Sequence, residues 1–118
     1  MRASLTEIRG LVAQQIAQVG DLRRREQLQS LLTEPELRSF NWDYSAHDQR
    51  LDGWVVGGSP DRSILLVYAE EGFGPSEPWG MVIAEDDSFG MDSQWHVGLE
   101  HAAICAGLLD APPRYEVP

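Results

Sequence analysis

The placement of the aromatic residues constrains this chain more than any other feature. All ten Phe, Trp and Tyr residues lie at or after Phe40, and residues 1–39 contain none. Aromatic and β-branched side chains suit a pleated, half-buried surface, whereas aliphatic residues at helical spacing suit one face of a helix. The chain therefore divides into a helical front piece, 1–39, and an aromatic-rich sheet region after it. At 118 residues these are two layers around one core, so the expectation is a single α+β domain over 1–118.

In the front piece, Ser4-Leu-Thr-Glu7 has the pattern of a capping box. Leu5, Ile8, Val12, Ile16 and Val19 then recur at helical spacing and make one face apolar. Gly20 is a natural stop and Asp21 a natural new N-cap. Leu22, Leu28, Leu31 and Leu32 predict a second helix, ending before Glu34-Pro35 because a residue preceding proline avoids the helical region. Arg23, Arg24 and Arg25 lie near its start, the unfavourable end for positive charge. They read as a solvated face, with a local anion or partner contact as the alternative.

After Phe40 the periodicity changes. Phe40, Trp42 and Tyr44 alternate onto one side of a strand, and Ala46–Arg50 reads as a turn. Gly53–Val56 is a second strand, closed by the turn cluster Gly57-Gly58-Ser59-Pro60-Asp61. Ile64–Tyr68 is a continuous apolar run, as a strand covered on both faces requires, and Trp79–Ala84 follows as its neighbour. Glu85–Ser88 turns into a short piece, Phe89–Met91, and Asp92 or Ser93 caps a C-terminal helix over 93–109. Short connections favour an antiparallel meander of about four to five strands over 40–92, covered by the N-terminal and C-terminal helices.

Charge narrows the possible partners. The net charge is −10, and it is unevenly placed. Residues 1–40 hold six arginines and five acids, whereas residues 41–118 hold three arginines and fourteen acids. There is no lysine. Such a field repels nucleic acid and anionic membrane, favours a basic protein partner, and also keeps a protein dispersed in water. No run approaches the length of a membrane span, the N-terminus lacks a long apolar stretch, and the lone Cys105 gives no intrachain disulfide. A cytoplasmic address is the expectation. Cys105 lies in an apolar run and reads as a small buried side chain.

The most unusual segment is 70–80, which joins two strong strands with a loop too long for a tight hairpin. It carries Glu70, Glu71 and Glu77 with Phe73 and Trp79, and its Gly and Pro residues suit a shaped loop. An ordinary connection whose aromatics pack on the sheet is the plainer alternative. With Asp86 and Asp87 in the next turn, Glu70, Glu71, Phe73, Glu77 and Trp79 are the candidate partner-binding residues. Trp is the side chain most enriched at binding hot spots.

No catalytic, cofactor or metal set is expected. Adjacent Glu70 and Glu71 would point to opposite faces of a strand, so they do not form an acid–base pair. The segment 85–92 lacks the calcium-loop pattern and its closing glutamate. His96, Glu100 and His101 read as H-x-x-x-E-H on one helix, where the two imidazoles would lie about 140° apart and could not share a zinc ion. His96 and Glu100 would then pair at i,i+4. No nucleophile elbow, phosphate loop or dinucleotide fingerprint is present.

The stretches YAEEGFGPSEPWGMVI and SFGMDSQWHVGLEHA resemble a small domain found among the immunity proteins of polymorphic and contact-dependent bacterial toxin systems. The likeness spans roughly residues 40–104 and rests on the EEGFGP…PWG loop and the GMDS…W…LE segment. It implies a compact α+β domain that blocks a cognate toxin without catalysis. A non-catalytic protein-binding module, an immunity protein acting through an acidic surface, is therefore the expected function. A ligand-binding or enzymatic domain with a pocket under loop 70–80, and a self-associating regulatory subunit, are the alternatives.

Overall fold

Ser4 opens the first helix as the sequence predicts. Its hydroxyl accepts from the Glu7 N–H at 3.2 Å, and the Glu7 carboxylate accepts from the Ser4 N–H at 3.3 Å. The computed structural model describes residues 4–42, 50–70, 76–85, 88–89 and 94–109. Helix α1 spans Leu5–Ala17 and α2 spans Leu22–Ser30, the latter capped by Asp21, whose carboxylate accepts from the Arg24 N–H at 3.0 Å. Ile8, Ile16, Val19 and Leu28 turn into the core. Leu22 does not: it is exposed, at the solvent-facing start of α2.

The front piece is not helical to residue 39. Strand β1 begins at Leu32 and runs to Trp42, straight through Pro35. Two features let the chain leave the helix so early. The Gly58 N–H donates to the Leu31 carbonyl at 2.9 Å. Gly57 has no Cβ, and one placed there would lie 2.3 Å from that same carbonyl oxygen. Pro35 falls where β1 slips register against its neighbour between Leu32 and Glu36, and an edge strand tolerates proline at such an irregularity.

Strand β2 spans Arg50–Gly58, so Gly57 and Gly58 belong to the sheet and not to the turn after it. Strands β3, Ile64–Tyr68, and β4, Trp79–Ile83, follow as predicted. Strand β5, Ser88–Phe89, and strand β6, Gln94–His96, are short, and α3 spans Leu99–Cys105. The sheet order is β5-β1-β2-β3-β4-β6. From β1 to β6 every pairing is antiparallel, a meander with β6 added beside β4, while β5 pairs parallel with the end of β1. The fold is α+β, with helices from both ends of the chain on the sheet.

The C-terminal helix is shorter than predicted because the chain first pairs with β4. Trp95 lies over Gly80, where a Cβ would come within 2.6 Å of the indole ring. Gly98 is the N-cap, and the freed Leu99 N–H donates to the Gln15 side-chain oxygen on α1 at 2.9 Å. Gly107, at φ +76, ends the helix, and the Leu108 N–H reaches back to the Ala103 carbonyl at 3.0 Å.

Alternation along the strands gives the sheet two apolar faces. Val56, Leu66, Tyr68, Trp79 and Met81 pack with the three helices. Phe40, Leu51, Val55, Leu65, Val67, Ala69 and Val82 form a second cluster on the other face, with Trp95 against it. Tyr44, the third aromatic of the predicted strand at 40–44, lies outside the described residues.

Candidate binding surface

The β3–β4 connection is drawn together at its base. Tyr68 pairs with Trp79, and one step outward the Ala69 N–H donates to the Pro78 carbonyl at 2.9 Å. The next residues out are Glu70 and Glu77, so two carboxylates stand at this neck. Glu77 is exposed and Glu70 half-buried. The Tyr68 hydroxyl donates to Glu70 Oε1 at 3.0 Å, which fixes one of the two carboxylates. Burial first, and then the bond and charge of Glu70 with the charge of Glu7, push the Tyr68 hydroxyl up to about 12.

Trp79 is placed differently from a surface anchor. It is 3% exposed and packs edge-on against Tyr68, with ring centroids 4.8 Å apart and planes at 61°. It braces the neck from inside. Trp79 alternates inward with Met81, and the helices cover that face, so its indole is not available to a partner. Glu71, Phe73, Asp86 and Asp87 lie outside the described residues.

A neighbour of this neck is not where helical spacing puts it. His96 is on β6, opposite Trp79, and not on the C-terminal helix. The helical-wheel separation of His96 and His101 therefore does not apply. His101, on α3, is close enough to disfavour a second positive charge at His96. Burial, and then His101, lower the His96 imidazole below its ordinary value, and Glu77 partly opposes them. His96 Nε2 is buried and makes no hydrogen bond among the described residues. The signal in the sequence was Gly98, a poor interior helix residue and a good start. Glu100 pairs not with His96 but with Arg24 of α2, at 3.2 Å.

That ion pair also settles the arginine run. Arg24 ties α2 to α3, and Arg25 donates to the Val19 carbonyl at 2.8 Å, closing the end of α1. Arg23 remains exposed.

Among the described residues, no cluster of three His, Cys, Asp or Glu could hold a metal ion. A serine–carboxylate grouping does occur in the β2–β3 turn, but it is a turn device. The hydroxyls of Ser59 and Ser63 donate to Asp61 Oδ1 at 2.6 and 2.7 Å, and the Ser63 N–H donates at 3.0 Å. These donors, Ser59 first, hold the Asp61 carboxyl down at about 2. A carboxylate held that low is too weak a base to make either hydroxyl a nucleophile. A cavity of about 190 Å³ lies between α1 and α3, beside Gln15, Val97 and His101, and one of about 200 Å³ lies beside the β2–β3 turn. Both fall below the roughly 300–1,000 Å³ usual for small-molecule sites. No described helix is long and apolar enough to cross a membrane. The chain matches no family model, no curated protein and no solved structure.

Proposed function

We propose that the chain is a non-catalytic protein-binding module whose acidic surface docks on a basic protein, and that it neutralises a toxin domain as the immunity proteins resembled by residues 40–104 do. The observation that carries this reading is the pair of carboxylates, Glu70 and Glu77, held together at the β3–β4 neck in a region with fourteen acids and three arginines. Among the described residues no ion pair joins either of them to an arginine. Uncompensated carboxylates on a rigid base steer a basic partner and fix its orientation. The cytoplasm, where such an inhibitor meets its toxin, belongs to the same proposal.

The test is co-purification of the tagged full chain from its native extract at low and moderate salt, with bound proteins identified by mass spectrometry. A single stoichiometric basic protein, encoded beside this chain, supports the reading. An empty eluate at both salt concentrations would overturn it and direct attention to small ligands.

A further inference from the structure

The outer edge of β1 is the second surface with a reading of its own. Among the described residues, β5 covers that edge only at Asn41 and Trp42. Along the stretch before it none of the described strands lies on that side, and Glu36, Leu37 and Arg38 are exposed. Leu37, at 37%, is one of three large apolar side chains on the described surface. Open edges are a liability that proteins guard with charge and proline, and Pro35, Glu34, Glu36 and Arg38 are guards of that kind. Guards of a single sign would repel a second copy. These do not share a sign.

We infer that two copies of this chain pair antiparallel through β1, about a two-fold axis at Leu37, so that Glu36 of each faces Arg38 of the other. The geometry selects that axis. Opposed residues in an antiparallel pair share a face, so a two-fold axis normal to the sheet must lie midway between a residue and its own copy. An axis at Glu36 would oppose two glutamates, and one at Arg38 would oppose two arginines. At Leu37 both charge pairs are complementary, on the face where Arg38 already lies over the Phe40 ring at 5.4 Å. On the other face, Leu37 meets Leu37 of the second copy. β5 stops the pairing short of Asn41, and the slip at Pro35 stops it at the other end. The interface is therefore short, and the dimer weak and concentration-dependent. It does not depend on the acidic neck, which lies across the sheet from β1, beyond β2.

Sedimentation equilibrium of the full chain from about 10 to 500 µM tests this. The expected result is a monomer–dimer equilibrium. Glu36→Arg and Arg38→Glu each weaken it by about tenfold or more, since each replaces two attractive pairs with two repulsive ones. The double variant E36R/R38E regains wild-type affinity. A mixture of the two single variants forms a heterodimer, because every cross-strand pair is again opposite in charge. Both positions are exposed, so circular dichroism of the single variants should match wild type. A chain monomeric at every concentration, or a dimer indifferent to these charges, would overturn the inference.

Discussion

Strand β3 spends its five residues almost wholly inside the molecule, whereas β1 leaves all of the first seven of its eleven exposed or half-exposed. The two lie in one sheet with only β2 between them. β3 has a hydrogen-bonded neighbour on each side and an apolar layer on each face, so nothing polar is tolerated along it. β1 has β2 on one side and, for most of its length, none of the described strands on the other. It carries Glu34, Pro35, Glu36 and Arg38 where β3 carries Leu65, Leu66 and Val67. The centre of the sheet thus holds the fold, and its margins are where chemistry toward other molecules is displayed.

The largest test of that contrast is Leu66→Ala. Leu66 is fully buried against the helices, and its truncation should cost about 3 kcal/mol in urea denaturation. A loss below 1 kcal/mol would mean that the β3 layer is less tightly packed than its burial implies.

Gly80→Ala probes how the interior extends to the short strand β6. The new methyl would meet the Trp95 ring at 2.6 Å, and ring and strand must move, at about 2 kcal/mol. A red shift of tryptophan fluorescence and faster amide exchange in β6 should accompany that loss. An unchanged spectrum would place Trp95 elsewhere.

Asp61→Asn tests the turn that delivers the chain into β3, and its signature is pH. The folded carboxyl titrates near 2 against an ordinary 3.8, so the folded state binds the proton less readily than the unfolded one. Its contribution is complete above 3.8 and fades as pH falls through about 2. The variant should therefore melt below wild type at pH 7, with the gap closing towards pH 2. A constant gap would show that shape and not charge is what the turn needs.

Leu37→Ala is the smallest effect. In dilute solution it should change stability by less than about 0.5 kcal/mol, because the side chain is already exposed. A cost comparable to that of Leu66→Ala would erase the distinction between edge and centre.

The same contrast explains what was legible in the sequence. Ile64–Tyr68 announced itself because burial on both faces leaves a continuous apolar run. Ser4, Glu7 and Asp21 were legible because caps act over three residues. β1 was not, since an edge strand alternates weakly and its guards, proline above all, look like loop. Its start was fixed by Gly57 and Gly58, which accept the Leu31–Leu32 backbone from far along the chain. β6 was hidden for a similar reason: its pairing with β4, with Trp95 over Gly80, is made far along the chain, and only Gly98 marks locally where the helix begins. Of the candidate site, Glu70 and Glu77 stand together at the base of the 70–80 connection, a placement that follows from the flanking strand runs. Trp79 is not a surface anchor, because alternation beside Met81 sends it inward, and His96 was assigned to the wrong element.

The central claim is that the carboxylates at the β3–β4 neck engage a basic partner. The most direct measurement is the affinity of the co-purified partner for wild type and for Glu77→Arg, the exposed member of the pair, at two ionic strengths. Opposite-charge docking predicts binding weakened by about tenfold or more, mostly through a slower on-rate, with the salt dependence of the wild-type complex reduced. Equal affinity and an equal salt response would contradict the claim.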